Sequence, residues 1–320
     1  MTVSAPPLIN TFAHTRADYF TVADGAKLRY AICDPAGKPH GTVFIAPGRR
    51  EFIEKKYAEL GPELLARGFR LIFIEWRGQG LSTRALEGPL RQRDYILDFS
   101  KHIDDLSQFY EAVLRPNTMG TLFFHGHSMG GHILIRWLTE QKETTVAGAF
   151  FTAPMLALAG PFAHASVNVL SWGSSKLGYG TEYAPMQHDY NEDDRAFAGN
   201  PLSRDPERFS IIEKYFLAYP DLTVAGVTWD WLHAAIKSMY SAQRRFRLER
   251  VKIPVLAIVG NEDHVTPPDE IFRFLKMMPN AETVLIPGSL HDVMNEINPI
   301  RDEAWRQIDV FLQRLQKPQG

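Results

Sequence analysis

Residues 121–141, TLFFHGHSMGGHILIRWLTEQ, decide the fold that the sequence predicts. An apolar run typical of a buried strand leads into GHSMGG (126–131), and the residues that follow have the length and apolar spacing of a helix. A Gly-x-Ser-x-Gly motif between a strand and a helix predicts a tight, strained turn, in which the glycines on either side of the serine avoid side-chain collisions. We therefore expect Ser128 to lie above the carboxyl ends of the strands, where open α/β sheets bind their ligands.

Short strand-like runs alternate with longer amphipathic runs along most of the chain. Six runs are rich in β-branched and aromatic residues: GTVFIAP (41–47), FRLIFIE (69–75), TLFFHGH (121–127), VAGAFFTA (146–153), PVLAIVG (254–260) and ETVLIP (282–287). Two more, YFTVAD (19–24) and KLRYAIC (27–33), lie a turn apart and predict an antiparallel hairpin at the sheet edge. The pattern predicts an α/β fold with a mostly parallel eight-stranded sheet and helices on both faces.

The alternation stops between Pro154 and Arg250. This segment, of about a hundred residues, is too long for a loop, and it contains the helical stretch TWDWLHAAIKSMYSAQ (228–243). We interpret it as a helical cap over one end of the sheet. The predicted organisation is a first part of the core at 1–153, a cap at 154–250 and a second part of the core at 251–320.

A serine nucleophile needs a general base, and the base needs an acid that orients it. Where the serine lies in such a turn, the order along the chain is serine, acid, histidine. Asp263 follows the predicted strand 254–260, and His291 follows the next strand, 282–287. Both should reach the sheet edge that carries Ser128, so Ser128, Asp263 and His291 are the candidate catalytic residues.

Other interpretations of these residues stay open at this point. Glu262 is the nearest rival acid, Asp263 could be a helix N-cap, and His291 could be a histidine of a surface loop. His125 and His127 alternate on the strand before Ser128, but two histidines without further ligands are weak grounds for a metal site. We expect no metal and no cofactor.

Acyl transfer also needs hydrogen-bond donors aimed at the developing oxyanion. One should be the backbone N–H of Met129, directly after the serine, and the second should come from the loop PGRRE (47–51) after the third strand. Gly48 allows close backbone approach, and the N–H of Arg49 is the candidate donor. The alternative is an ordinary strand-to-helix loop with two solvated arginines.

Composition and charge limit the classes of partner. Lys and Arg number 35 against 37 Asp and Glu, and the net charge of −2 offers no electrostatic footprint for nucleic acid. The single cysteine, Cys33, excludes an intrachain disulfide and fits a reducing compartment, so we expect a cytoplasmic protein. The first twenty residues lack the basic and apolar regions of a secretory signal.

One apolar stretch tests the expectation that the chain does not span a membrane. Residues 146–175 contain no Asp, Glu, Lys or Arg, and their length would suit a transmembrane helix. The stretch opens as a strand-like run and is broken at Pro154, Gly160 and Pro161, so a buried strand that ends at a proline explains it better.

Taken together, these motifs resemble the α/β-hydrolase fold, in the group of serine hydrolases that includes bacterial lysophospholipases and monoacylglycerol lipases. The resemblance covers nearly the whole chain outside the cap and rests on five motifs: APGRRE (46–51), EWRGQGLS (75–82), GHSMGG (126–131), GNEDHVTPP (260–268) and GSLHDVMNE (288–296). The PGRxE form of the second-donor loop looks most like the bacterial inner-membrane lysophospholipase branch. The resemblance implies a cofactor-independent serine esterase that forms an acyl-enzyme on a lysophospholipid or monoacylglycerol.

Apolar residues crowd both ends of the predicted cap. They are Met155, Leu156, Leu158, Phe162, Val167, Val169, Leu170 and Trp172 at its entry, and Trp229, Trp231, Leu232, Ile236, Met239 and Tyr240 at its exit. Either they form the small core of the cap, or some of them line an acyl-chain channel above Ser128. An apolar cap also allows peripheral contact with the inner membrane. The sequence does not indicate an oligomeric state.

Three alternatives to a lipid esterase remain. An aminopeptidase would need an acidic pocket for a free amine, which the cluster Glu192-Asp193-Asp194 could supply if it faced the site. A short-chain carboxylesterase would need a small polar pocket. A catalytically silent binding protein of the same fold is disfavoured by the intact serine, acid and histidine order. A dehalogenase or epoxide hydrolase is disfavoured because those relatives carry Asp at the position of Ser128.

Overall fold

The computed structural model describes residues 7–141, 143–159 and 165–316. Its strands are β1 Thr15–Thr21, β2 Lys27–Cys33, β3 Gly41–Ala46, β4 Phe69–Ile74, β5 Thr121–His127, β6 Val146–Thr152, β7 Val255–Gly260 and β8 Ala281–Ile286. They form one sheet in the order β1-β2-β4-β3-β5-β6-β7-β8. The pairs β1–β2 and β2–β4 are antiparallel and the other neighbours are parallel. The predicted mostly parallel eight-stranded sheet, with its hairpin at the edge, is confirmed.

Helices connect the strands. They are α1 Ile53–Ala66, α2 Ser100–Phe109, α3 Arg115–Asn117, α4 Ser128–Glu140, α5 Ala165–Lys176, α6 Pro206–Ala218, α7 Trp229–Ala242, α8 Arg245–Leu248, α9 Pro268–Leu275 and α10 Asn298–Gln316. A π-helical stretch, Tyr110–Leu114, joins α2 to α3.

The hydrophobic core has two parts because successive residues of a strand point to opposite faces of the sheet. In β4, Ile72 and Ile74 belong to one part, whereas Leu71 and Phe73 belong to the other. Apolar residues of α2, α4, α7 and α9 cover the first face, and those of α1 and α10 cover the second. The helices therefore lie on both faces, as predicted.

Between β6 and β7, the described residues form α5 to α8 and add no strand to the sheet. Helix α7 nevertheless packs into the main core, where the Trp231 ring meets the Phe99 ring edge-on at 5.4 Å between centroids. The division of the chain at residues 153 and 250 stays a prediction. Gly160, Pro161 and Phe162 lie outside the described residues.

The apolar stretch 146–175 begins as β6, which is hydrogen-bonded to strands on both sides. It ends in α5, whose Trp172 is about half exposed. In the part of the chain that the structure describes, no helix is long and apolar enough to cross a membrane.

Candidate active site

The turn at Ser128 has the strained geometry that the motif predicts. Ser128 directly follows β5 as the first residue of α4, and its φ of 48° lies in the left-handed region. A Cβ at Gly130 would lie 2.2 Å from the backbone oxygen of Ala46, and one at Gly126 would lie 2.7 Å from Cα of Gly131. Glycine is therefore required at both positions for the helix to start so close to β3 and β5.

Asp263 and His291 meet beyond the ends of β7 and β8, as the parallel sheet requires. Both side chains are buried, and Nδ1–H of His291 donates to Oδ2 of Asp263 at 2.8 Å. The same carboxylate accepts from the backbone N–H groups of Val265 (2.8 Å) and Thr266 (2.9 Å) and from Oγ1 of Thr266 (2.8 Å). Burial acts to raise the pKa of Asp263, but the charge of His291 and these hydrogen bonds outweigh it, so the pKa lies below its ordinary value.

The rival acid is occupied elsewhere. The Glu262 carboxylate lies 2.6 Å from Nη2 of Arg204 and is about half exposed. His291 is 3% exposed, which sets it apart from an ordinary histidine of a surface loop. Asp263 does not cap α9, because that helix begins at Pro268 and its N-cap is Pro267.

Ser128 and His291 line the same cavity of about 490 Å³. That volume is within the range of small-molecule pockets, roughly 300–1,000 Å³. Most of the remaining wall comes from residues between Tyr190 and Glu213, and Val265 contributes beside Asp263. Asp292 N–H donates to the backbone oxygen of Leu202 at 2.9 Å, which ties this wall to the His291 loop.

Of the two alternatives for the apolar cap residues, the acyl channel does not apply to this cavity. None of the described residues in the two apolar groups lines it. Trp231 and Met239 are buried in the main core instead, because α7 turns its apolar face toward α4 and the sheet. Val169 and Leu170 of α5 face solvent and are more than half exposed. Most of the wall is built by the segment 190–213, of which the sequence analysis had named only the acidic cluster as a possible pocket lining.

The loop at 47–51 leaves the backbone N–H of Arg49 free. Gly48 N–H donates to Oε2 of Glu51 at 2.5 Å, and Arg50 N–H donates to Oε1 of Gln79 at 2.7 Å. Arg49, between them, lines the cavity, and its N–H has no acceptor among the described residues. The N–H of Met129 at the start of α4 is likewise unpaired in the described structure. The two predicted oxyanion donors are thus available for a ligand.

A buried ion-pair network lies below the cavity. The Lys55 ammonium of α1 contacts Glu51, Asp292 at 2.6 Å and Glu59 at 2.9 Å, and Lys56 lies 2.9 Å from both Glu51 and Glu59. Burial acts to raise the pKa of Glu51, but the two ammonium groups outweigh it and the pKa lies well below its ordinary value. Burial and the Glu59 carboxylate raise the pKa of Asp292 to about 6.

This network joins three parts of the site. Glu51 holds the N–H of Gly48, Asp292 directly follows His291, and Oδ1 of Asp292 lies 4.0 Å from Nε2 of His127, the neighbour of Ser128. Burial lowers the pKa of His127 well below its ordinary value, and nearby Lys56 lowers it further. The network can therefore fix the relative positions of the loops that carry the candidate residues.

Three of these side chains also carry atoms of the kind that bind metal ions. Ligand atoms of Glu51, His127 and Asp292 all lie within 4.8 Å of one another. However, the Lys55 ammonium already contacts both carboxylates, and it would repel a divalent cation placed there. We assign the two carboxylates to the ion-pair network, with the uncharged His127 beside it, and the sequence prediction of no metal stands as a prediction.

Sequence reasoning did not identify Lys55, Lys56 or Glu59. Charged residues three and four positions apart on a helix ordinarily form a solvated face, so their spacing gave no sign of burial. Sequence reasoning also did not single out Arg195, which lines the cavity. Of the acidic cluster that it named, Asp193 and Asp194 line the cavity and Glu192 does not.

A family model described as serine aminopeptidase S33 matches residues 37–298. The chain belongs to this family. Among its relatives is lysophospholipase L2 of Escherichia coli K12, which is 27% identical over 98% of this chain and 92% of the relative. Rat monoglyceride lipase is 31% identical over 91% of this chain and 88% of its own length.

Solved structures agree with the S33 assignment at the level of the fold. A soluble variant of monoglyceride lipase from Saccharomyces cerevisiae matches with a TM-score of 0.73 and 19% identity, over 97% of this chain and 99% of that one. A carboxyl esterase from Bacillus coagulans matches with a TM-score of 0.72 and 18% identity, over 96% and 100%. The chain is an α/β hydrolase similar to lysophospholipases and monoglyceride lipases, as the sequence motifs predicted.

Proposed function

We propose that this S33 family member is a serine hydrolase that cleaves carboxylic esters through an acyl-enzyme. The observation that carries the proposal is the hydrogen bond between His291 and Asp263, together with the cavity that His291 shares with the strained Ser128. A nucleophile and a base that line one pocket, with a buried acid that orients the base, are the parts that acyl transfer needs.

The proposed reaction begins with attack of Ser128 Oγ on the ester carbonyl carbon, while Nε2 of His291 takes the hydroxyl proton. Asp263 holds the imidazole through Nδ1–H and stabilises its positive charge. The oxyanion receives hydrogen bonds from the N–H groups of Arg49 and Met129. The carbonyl–oxygen bond to the leaving group then breaks, and the imidazolium protonates the departing alkoxide.

Deacylation repeats these steps with water. Water attacks the acyl carbon, His291 takes one of its protons, and the bond to Oγ breaks as His291 returns that proton to Ser128. The products are a carboxylic acid and an alcohol. No cofactor takes part in any of these steps.

The proposed substrate is a lysophospholipid or a monoacylglycerol. The relatives support this choice, because those named lysophospholipase L2 and monoglyceride lipase align over nearly the whole chain. Leu202, Phe209, Ile212 and Val265 give the cavity an apolar lining that suits an acyl chain.

The test compares wild-type protein with Ser128→Ala on lysophospholipid, monoacylglycerol and p-nitrophenyl esters. We expect hydrolysis by the wild type and a loss of kcat of at least about a thousandfold in the variant. Ordinary turnover by Ser128→Ala, in protein free of host enzymes, would refute the assignment of the nucleophile. Absence of both ester turnover and fluorophosphonate labelling would favour a catalytically silent binding protein.

Peptide cleavage is the second candidate, and one observation favours it. Asp193 lines the cavity and has no cationic partner in the described part of the chain, so it could receive a free amino group. Asp194 is less available because it lies 3.4 Å from Arg50. Hydrolysis of aminoacyl p-nitroanilides faster than of acyl esters would support an aminopeptidase.

We also propose that the predicted cap, 154–250, contacts a lipid surface. Exposed apolar side chains of α5 and the turn after it support this: Val169, Leu170, Trp172, Leu177 and Tyr179. Replacing Leu170 and Trp172 together by Ser should weaken cosedimentation with phospholipid vesicles and leave turnover of a soluble p-nitrophenyl ester unchanged. Equal cosedimentation of the variant and the wild type would contradict this. Cytoplasmic localisation stays a prediction.

A further inference from the structure

Three of the cationic side chains that line the cavity are already paired with carboxylates. Lys55 contacts several carboxylates below the cavity floor. Nη1 of Arg49 lies 3.6 Å from Asp94, and Nη1 of Arg50 lies 3.4 Å from Asp194. Their charges are therefore largely balanced within the protein.

Arg195 differs from these three. No carboxylate of the described residues lies within ion-pair distance of its guanidinium, and its buried Nε has no hydrogen-bond acceptor. The guanidinium lies 5.8 Å from the ring centroid of Tyr190, whose ring also contacts Arg50 at 5.2 Å. An aromatic ring orients a guanidinium without neutralising it, so Arg195 presents an unbalanced positive charge to the cavity.

Two acidic side chains of the same wall also lack a partner. Asp193 and Glu213 line the cavity, and neither lies within ion-pair distance of a Lys, Arg or His among residues 7–141, 143–159 and 165–316. The unpaired charges of the wall are thus one cation and two anions. A ligand that carries both signs complements this wall, whereas a phosphomonoester with two negative charges would be repelled by the acids.

We propose that the cavity binds the zwitterionic headgroup of a lysophospholipid, with Arg195 on the phosphodiester and Asp193 and Glu213 near the ammonium group. The planar guanidinium fork matches two phosphate oxygens, and this pairing is among the strongest charge-assisted hydrogen bonds in proteins. The inference rests on the proposed ester hydrolysis and adds the substrate class. It favours the lysophospholipid over the monoacylglycerol, because a neutral monoacylglycerol carries no anion to balance the charge of Arg195. Arg195 is then a residue that determines specificity, and it takes no part in the chemical steps.

The first test is kinetic, with Arg195→Gln as the variant and Arg245→Gln as the matched control. Arg245 is exposed and paired with Glu249 outside the cavity. Arg195→Gln should lower kcat/KM by about tenfold or more for lysophosphatidylethanolamine and leave it unchanged for a monoacylglycerol of the same acyl chain. The control should alter neither. Equal loss on both substrates, or no loss on either, would overturn the proposal.

The second test is binding, which separates this inference from the proposed reaction. sn-Glycero-3-phosphoethanolamine is titrated into Ser128→Ala protein, with and without Arg195→Gln, by calorimetry. Binding should weaken by about tenfold when Arg195 is replaced, and free inorganic phosphate should bind less well because it offers no ammonium to the acids. Equal binding with and without Arg195, or tighter binding of inorganic phosphate, would contradict the proposal even if ester hydrolysis is confirmed. Arg195-dependent binding would support it even if hydrolysis is not.

Discussion

At the scale of single residues, Lys55 is a buried cation that joins three carboxylates near the site. It is 2% exposed, and its ammonium contacts carboxylates from the loop 47–51, from α1 and from the His291 loop. Burying several charges is tolerated only because each has a partner. Removal of the lysine would leave Glu51 and Asp292 buried with less compensation.

We predict that Lys55→Met lowers the free energy of unfolding by about 3–5 kcal/mol, the range for breaking a buried ion pair. It should also lower kcat, because Gly48 and His291 lose a shared anchor, and Lys55→Arg should restore part of both. Denaturant titration and ester kinetics check this. The control is Lys101→Met, which removes an exposed contact of 3.4 Å to Asp24 and should cost less than about 1 kcal/mol. Equal effects of the two substitutions would contradict the role of Lys55.

Substitution of Gly130 tests whether the turn that carries Ser128 is as crowded as the structure shows. An added Cβ would lie 2.2 Å from the Ala46 oxygen, so we predict that Gly130→Ala, and more so Gly130→Val, destabilises the fold or abolishes activity. Gly173, in the middle of α5, is a matched control because a Cβ there meets nothing within 4 Å. Gly173→Ala should raise the free energy of unfolding by up to about 1 kcal/mol. A stable and active Gly130→Val variant would show that the turn has room.

At the scale of helices and strands, much of the sheet follows from the sequence. Each strand-like run is a strand in the structure, with its ends displaced by a few residues. The reason is that β-branched and aromatic side chains pack well on the pleated, buried surface of a sheet. Parallel strands bring their carboxyl ends to one edge, so residues after β5, β7 and β8 could be placed together. The order of the strands in the sheet could not be predicted from the sequence. Strand β4 lies between β2 and β3, and the local sequence pattern does not encode this crossover.

The cavity wall was predicted less well than the strands, for a physical reason. The apolar residues of α7 carry the same pattern whether they face a channel or the core, and in the fold they face the core. Part of the wall comes from polar turns at 190–202, which have no periodicity to indicate a pocket. The rest of this segment's contribution comes from Phe209, Ile212 and Glu213 of α6, a helix that the sequence analysis did not predict. The ion-pair network escaped notice because burial of charge depends on tertiary contacts that a single helix does not show.

The wall leads to a prediction about acyl-chain length. For p-nitrophenyl esters, kcat/KM should rise with chain length by up to about 0.8 kcal/mol per buried CH₂ until the cavity is full. Phe209→Ala, in the cavity wall, should flatten that rise. Trp231→Ala, in the core, should instead lower the free energy of unfolding by about 3–5 kcal/mol and leave the slope unchanged. A fall in kcat/KM from acetate onward would indicate a short-chain esterase.

At the scale of the whole molecule, buried histidines couple stability to pH. Burial lowers the pKa of His102, His125 and His132 to about 3 in each case. In the unfolded chain their pKa lies near 6.5. Between pH 6.5 and 3 the unfolded chain therefore binds more protons than the folded one, and stability falls as the pH falls through this window.

We predict that the free energy of unfolding decreases between pH 6.5 and 5.5 by up to about 1.4 kcal/mol for each of these histidines. His125→Phe should reduce this dependence, since His125 stacks on Phe150 with a ring-centroid distance of 4.8 Å and its Nε2 has no described partner. Denaturant titrations at several pH values between 7 and 5.5 lie above the ordinary pKa range of carboxylates. Asp292, whose pKa is raised to about 6, titrates in both proteins, so the difference between the wild type and His125→Phe reports on His125. An unchanged dependence in His125→Phe would contradict the assignment.

The central claim is that Ser128 forms a covalent bond during turnover, with His291 as its base. The direct measurement is mass spectrometry of the protein after reaction with a fluorophosphonate, in which the serine oxygen displaces fluoride from phosphorus. We predict one adduct per chain, located on the peptide that contains Ser128, absent in Ser128→Ala and formed far more slowly in His291→Ala. An adduct on another residue, or undiminished labelling of Ser128→Ala, would contradict the claim.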